Sequence, residues 1–419
     1  MVFRWLQKML GGEGDRGDQG NRERGGERRR TTRDGWESRR GTKNRRARCD
    51  DPRLVPKPPR QWHEPVPKYL APEVAKRLFS PSMATGRPEL RRLGTDEAQL
   101  ERYGLPVVDD EAELAKLLGV GVSRLQYFAC HRLDDGVDHY VRFRIPKRSG
   151  GSRVIMAPKR ELKALQREAL ARIVGKLPVS EYAHGFVRGR SIRTNAEPHR
   201  GKKLVLRFDL RDFFPSVTFF RVRGFLISLG YSYPVATSLA LLMTACERHP
   251  VNLGGEVFYG PVGERYCVQG APTSPALCNA IARGMDHRMA GLARGYGYSY
   301  TRYADDMTFS GDDDRAVGPL LSVVRQIAED EGFSLNDEKT RVIHQGGHQR
   351  VTGVTVNEVV GLSRRERRKI RAMIHQMKRE RTEGTLSAEK VRSLEGKLAY
   401  VEMLNPEQAV PLRRQWEES

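Results

Sequence analysis

The residues best suited to chemistry are acids standing among apolar neighbours. In "TRYADDMTFS", residues 301–310, Asp305 and Asp306 sit side by side in a run of strand-forming residues. Tyr303, Met307 and Phe309 share a parity with Asp305, so simple alternation assigns that carboxylate to an apolar face. There it must be neutralised or bind a cation. Asp-Asp is also a common turn pair, and a hairpin turn accounts for the same ten residues. A third acid, Asp209, ends the apolar run "KLVLRFD", which reads as a strand buried in a sheet. By itself it would equally cap a helix begun by "DLRDFFPSV". Together, a strand-end acid and a pair at a hairpin turn can hold two Mg2+ ions about 3.5 to 4 Å apart, the arrangement used for in-line phosphoryl transfer. One ion then lowers the pKa of an attacking hydroxyl, while the other holds a triphosphate and stabilises the leaving pyrophosphate.

Such acids need a scaffold, and the flanking sequence predicts one. "HYVRFRIPKRSGGSRVIMAPK" reads as a hairpin turning at residues 149–151. "ELKALQREALARIVGKL" follows with Leu162, Leu165, Ala169, Leu170 and Ile173 at helical spacing. Later segments alternate short strands with helices and show no repeat, which predicts an α+β fold rather than a doubly wound one. "DEAELAKLLGVGVSRLQYFA" predicts two short helices joined at residues 119–121, spaced like a helix-turn-helix but with no basic recognition face after Ser123. Beyond Leu362, "SRRERRKIRAMIHQMKRER" places Ile370, Met373, Ile374 and Met377 on one helix face and arginines around the rest. A second helix over about 387–404 sets Val391, Leu394, Leu398 and Val401 on one face. A small helical lobe with a solvated charged face fits this pattern; so does one that grips nucleic-acid phosphates.

The chain carries a net charge of +22 over 419 residues, with a pI near 10.0, which points to nucleic acid or an anionic surface as partner. No apolar run approaches the roughly 20 residues needed to span a bilayer. The opening "MVFRWLQKMLGG" is broken by Arg4 and Lys8 and lacks a small-residue cleavage site. A soluble, cytoplasmic protein with no membrane partner is expected. The five cysteines are odd in number and form no CxxC pair, against a disulfide framework or a structural zinc and for a reducing compartment. Residues 1–66 hold a Gly/Arg-rich tail with almost no aliphatic residues, expected to be disordered, and the start of a Pro-rich connector. Such a tail suits RNA phosphates or mere solubility, and its composition does not separate the two.

The order of the motifs goes further. "FDLRDFFPSV", "QGAPTSPALCNAIA" (269–282), "YADD" and "GFSLNDEKTRV" (332–342) succeed one another as in the palm of reverse transcriptases, with "FRIPKRSGGSRVIMAPK" ahead of them as the fingers hairpin. The likeness runs from about residue 67 to 404. "HGFVRGRSIRTNAEPH" holds Asn195, Ala196 and His199 in an NAxxH pattern, and "RVTGVTVN" holds Val351, Thr352 and Gly353. With YADD, these patterns resemble the bacterial retron reverse transcriptases.

That resemblance implies a right-hand polymerase fold of the α+β class: fingers and palm over 67–360 and a short helical thumb over 361–419, after the disordered basic tail. It implies Asp209 and Asp305 as direct metal ligands of a two-Mg2+ site, with Asp306 completing the cluster. It implies Lys147 and Arg153 as a clamp on the incoming triphosphate, and Gln269 and Gly270 as the loop beside the nucleotide. Phe214 would exclude a ribose 2′-OH. Lys339 would stand near the leaving pyrophosphate, with an ion pair to Asp337 or Glu338 as the competing reading. Asn195, His199, Val351, Thr352 and Gly353 would serve RNA recognition or thumb placement. The implied partners are a structured noncoding RNA acting as template and primer, its RNA–DNA product, dNTPs, and a separate effector protein. Synthesis would start from an RNA 2′-OH, give a branched hybrid (msDNA), and serve antiviral defence against phage. The alternatives are a non-retron bacterial reverse transcriptase, such as a group II intron enzyme, and a non-catalytic nucleic-acid-binding protein.

Overall fold

The computed structural model describes residues 94–129, 138–146, 150–253 and 256–418. The tail and connector expected over 1–66 lie outside the described residues, as does Lys147.

Three short helices come first: α1 (Glu97–Arg102), α2 (Glu111–Leu117) and α3 (Val122–Ala129). The hairpin β1 (Tyr140–Pro146) and β2 (Ser152–Pro158) follows, then α4 (Arg160–Arg172) and α5 (Ile192–Ala196). Next are β3 (Leu204–Arg211), α6 (Phe219–Ser228), α7 (Tyr233–Met243), and the strands β4 (Ala245–Leu253) and β5 (Glu256–Tyr266). Helices α8 (Ser274–Ile281) and α9 (Arg283–Gly295) precede β6 (Ser299–Tyr303), β7 (Asp306–Gly311) and α10 (Val317–Asp330). Short strands β8 (Ser334–Leu335), β9 (Arg341–His344), β10 (Arg350–Val351) and β11 (Val354–Thr355) lead to α11 (Arg364–Thr382), α12 (Ala388–Leu404) and α13 (Pro406–Glu417).

β3 organises the molecule. β7 pairs along one edge of it, β8 and β9 along the other, and β6 lies beyond β7, all antiparallel. Directly paired residues share a face of a sheet. Leu206, Phe208, Met307, Phe309 and Tyr300 therefore line one face, where all are buried and Phe208 meets Phe309 edge-on at 5.6 Å. Arg207, Asp209, Asp306, Thr308, Thr301 and Tyr303 line the other. The sequence alternates with period two on each strand, and the sheet sorts it into an apolar face and a chemical one.

Around the sheet, helices start where caps satisfy their first amides. Asp96 and Asp110 accept from Gln99 and Glu113, and Ser363 forms a capping box with Glu366. The α2–α3 pair that resembles a helix-turn-helix is a core element: Leu114, Leu125 and Phe128 are buried, and α3 packs against α7. The basic helix expected after Leu362 is α11, and the second is α12. α13 falls within the helical thumb expected over 361–419 but was not read as a separate helix, and it carries Pro411 in its interior. Asn405 caps it, Pro406 occupies the first turn, where a missing N–H costs nothing, and Leu412 and Trp416 are buried. The long β4–β5 hairpin was equally unread. Among the described residues no helix is long and apolar enough to cross a membrane, and Cys246, Cys267 and Cys278 are buried free thiols.

Candidate active site

The three acids meet at one end of β3. Asp209 lies opposite Asp306 in the β3–β7 register, and Ala304 and Asp305 form the two-residue turn between β6 and β7. The turn ties back to β3 through the Leu210 amide, which donates to the Asp305 carbonyl at 2.8 Å. Strict alternation therefore fails at the turn, and Asp305 escapes the apolar face that its parity predicts. Ala304 takes a left-handed φ of 58°, a conformation that costs a non-glycine residue roughly 1–2 kcal/mol.

The electrostatics separate the three carboxylates. Burial, reinforced by the negative charges of Asp209 and Asp306, pushes Asp305 up to about 6, and only the Arg153 charge pulls noticeably against it from another side chain. Burial also raises Asp306, but Arg207 opposes this with an Nη2–Oδ2 contact of 2.8 Å. Asp209 accepts from Lys339 Nζ at 2.8 Å. Among the described residues no three His, Cys, Asp or Glu side chains stand together as a metal-binding group. In this arrangement Arg207 pairs with Asp306 and Lys339 with Asp209. The competing expectation for Lys339, an ion pair with Asp337 or Glu338, is corrected: Asp337 pairs with Arg325 at 2.6 Å, and Lys339 pairs with Asp209.

Other expected residues gather nearby. Arg153 is exposed on β2 with its charge felt at Asp305. The Met156 amide donates to the Gln269 carbonyl at 2.8 Å, which docks the β1–β2 hairpin on the 269–270 loop. Gly270 has φ 123°, and a Cβ there would stand 2.7 Å from the Met156 carbonyl, so only glycine fits. Gln269 Oε1 is buried and finds no hydrogen-bond partner among the described residues. Phe214 is half-buried on the turn after β3, against Phe213 at 5.5 Å.

The NAxxH and VTG residues behave differently. Asn195, His199 and Val351 have no exposed surface and Thr352 has 3 %. His199 bridges Ser310 Oγ at 2.7 Å and Thr301 Oγ1 at 2.8 Å on the polar face of the sheet. Thr352 (φ 46°) and Gly353 (φ 88°) form the two-residue turn of the β10–β11 hairpin, and Asn195 Nδ2 reaches Thr352 Oγ1 at 3.5 Å. This burial speaks against direct side-chain contact with RNA by Asn195, His199, Val351 and Thr352 and does not touch the other role expected for them, thumb placement. These residues lock two distant segments to the sheet. Gly353 is half-exposed, but its carbonyl accepts from Arg350 at 2.8 Å.

With this geometry in place, the family comparison is decisive. The model of the reverse transcriptase (RNA-dependent DNA polymerase) family matches residues 145–359. The Myxococcus xanthus retron Mx65 reverse transcriptase is 57% identical over 364 residues, covering 87% of this chain and 84% of the relative. The chain belongs to the retron reverse transcriptases. The retron Mx162 enzyme of the same organism is 42% identical, covering 74% of this chain and 67% of the relative. The Escherichia coli retron Ec86 enzyme is 34% identical, covering 66% and 81%. This retron reverse transcriptase is an RNA-directed DNA polymerase, and its family works with a divalent metal on an RNA template. Its site also contains residues that the sequence reading missed. Arg207, two positions before Asp209 on the same strand face, was legible in principle from period two. Arg302, Asp286 and Asn279 were not, since they meet only through the packing of α8 and α9 under β6.

Proposed function

We propose that this retron reverse transcriptase copies a structured noncoding RNA into short single-stranded DNA, priming from an RNA 2′-OH. The branched RNA–DNA product would act in the cytoplasm with a separate effector protein in antiviral defence. The observation that carries the catalytic part is the crowding of Asp209 and Asp305, whose mutual repulsion a divalent cation relieves. Those two carboxylates, with Mg2+ as the proposed ion, would hold the metal site. Asp306, neutralised by Arg207, backs them from the same sheet face. When bound, the metal supplies positive charge that favours an ionised attacking hydroxyl and stabilises the leaving pyrophosphate.

The chain's own residues do the rest. Arg153, with Lys147, holds the triphosphate, and the unpartnered Gln269 Oε1 beside Gly270 offers an acceptor to the nucleotide. Phe214 bars a ribose 2′-OH. Lys339, once exchanged from Asp209, meets the pyrophosphate as a charge and proton donor. Residues 67–360 serve as fingers and palm, and the basic face of α11 within 361–419 serves as the thumb that grips duplex phosphates.

The test is to express the chain with its native flanking DNA and recover RNase-resistant single-stranded DNA joined to RNA. Asp305→Asn should abolish that DNA, and an unchanged nucleic-acid profile would end the catalytic reading. Debranching should shift the product's mobility; if it does not, 2′ priming is wrong and the polymerase remains. In the same extension assay Phe214→Ala should admit rNTPs.

A further inference from the structure

The loop after His184 carries an aromatic side chain that the core does not use. Phe186 is 52% exposed and adopts φ 61°, an outlier for so bulky a residue. Conformations like this persist where their surroundings over-determine them, and they cluster at functional sites. Here the surroundings are explicit. The preceding Gly185 lies so close to the catalytic turn that a Cβ would stand 2.7 Å from the Ala304 nitrogen. Asn279 Nδ2 donates to the Gly185 carbonyl at 2.7 Å, and its Oδ1 accepts from Arg302 at 2.9 Å. Arg302 in turn donates to the Ala304 carbonyl at 3.0 Å. One buried network therefore fixes the Phe186 loop and the YADD turn as a unit.

The result is a pair of aromatic rings beside the acids: Phe186 and Tyr303 stand 6.4 Å apart, tilted by 42°. Exposed Arg188 and Arg190 follow on the same loop. An exposed ring flanked by guanidinium groups suits a stacked nucleobase and its phosphate. Tyr303 lies opposite Asp306 in the β6–β7 register, which puts these rings beside the acids where the nucleotide bearing the attacking hydroxyl would be held.

We propose that Phe186, together with Tyr303, forms a stacking platform for the primer-terminal nucleobase, with Arg188 taking the adjoining phosphate. This rests on the catalytic reading of Asp305. The test uses the full chain with a primer–template carrying 2-aminopurine either at the primer terminus or at the template position opposite. The parent should quench the primer-terminal probe. Phe186→Ala and Phe186→Gly should lose the quench and weaken primer–template binding roughly tenfold, with the KM for dNTP unchanged, while Phe186→Trp should retain both. Phe186→Gly relieves the left-handed strain and should melt no lower than the parent, which separates lost stacking from unfolding. Equal binding by all the variants, or quenching confined to the template probe, would overturn the proposal. A parent that binds but never extends the primer would instead remove the catalytic reading, and this inference with it.

Discussion

Arg302 is a cation on the apolar face of the sheet with no exposed surface, and its partners explain how it stays there. Asp286 accepts from Nε and Nη2, both at 2.7 Å, and also from the Tyr300 hydroxyl at 2.8 Å. The Arg302 guanidinium lies over the Phe213 ring at 5.5 Å. A buried ion pair rarely outperforms an apolar replacement of equal volume, so stability alone does not account for it. Its specific product is the donor to the Ala304 carbonyl that holds a strained turn. Asp286→Asn should therefore destabilise the protein by about 3–5 kcal/mol in urea unfolding, because the guanidinium charge loses its counter-ion. A double replacement, Arg302→Met with Asp286→Leu, should recover much of that stability while primer extension stays impaired. Full recovery of extension would reduce Arg302 to charge compensation.

At the scale of elements, the site is assembled by close approaches that leave no room for side chains. The β1–β2 hairpin reaches the nucleotide loop only because Gly270 lets the Met156 backbone pass. Gly270→Ala should separate hairpin and loop, lowering kcat/KM for dNTP at least tenfold with a stability loss of about 1–3 kcal/mol. Steady-state kinetics beside thermal melting would show it, and unchanged kinetics would mean that the hairpin does not present the clamp. The β10–β11 hairpin follows the same logic. Its VTG sequence supplies two left-handed residues, and Asn195 meets Thr352 from 157 positions away in the chain. The two retron patterns are thus two halves of one internal joint.

Across the whole molecule, two buried histidines link stability to acidity. Burial pushes His199 down to about 3 and His184 to about 4, with neighbouring positive charges adding to the effect. Their ordinary value is about 6.5. Between that value and the depressed ones the unfolded chain binds protons that the folded chain refuses. Stability should fall as pH drops below 6.5, by about 1.4 kcal/mol per pH unit for each group. Asp305 opposes this: raised to about 6, it binds a proton in the fold before it does when unfolded, so it stabilises as pH falls from 6 toward 4. Urea unfolding from pH 7 to 5 should show a net loss of stability, and Asp305→Asn, which removes the opposing carboxyl, should steepen it. A flat profile in both proteins would mean that the histidines do not stay neutral.

The sequence singled out Asp209, Asp305 and Asp306 through the order of the motifs around them, since the Asp-Asp pair alone fits a hairpin turn equally well, and Asp305 does sit at that turn. The α+β class, the hairpin over 140–158 and the basic helix after Leu362 were legible as well, since period and capping are local properties. Tertiary structure alone decided what each acid faces: Lys339 beside Asp209, Arg207 beside Asp306, and the burial that raises Asp305. It also showed that NAxxH and VTG meet in an internal joint, and it exposed Phe186, which the sequence reading did not single out. The physical reason is the same in each case. Spacing along the chain records which face a side chain takes, but its charge environment and its exposure depend on elements that meet only when the sheet is assembled.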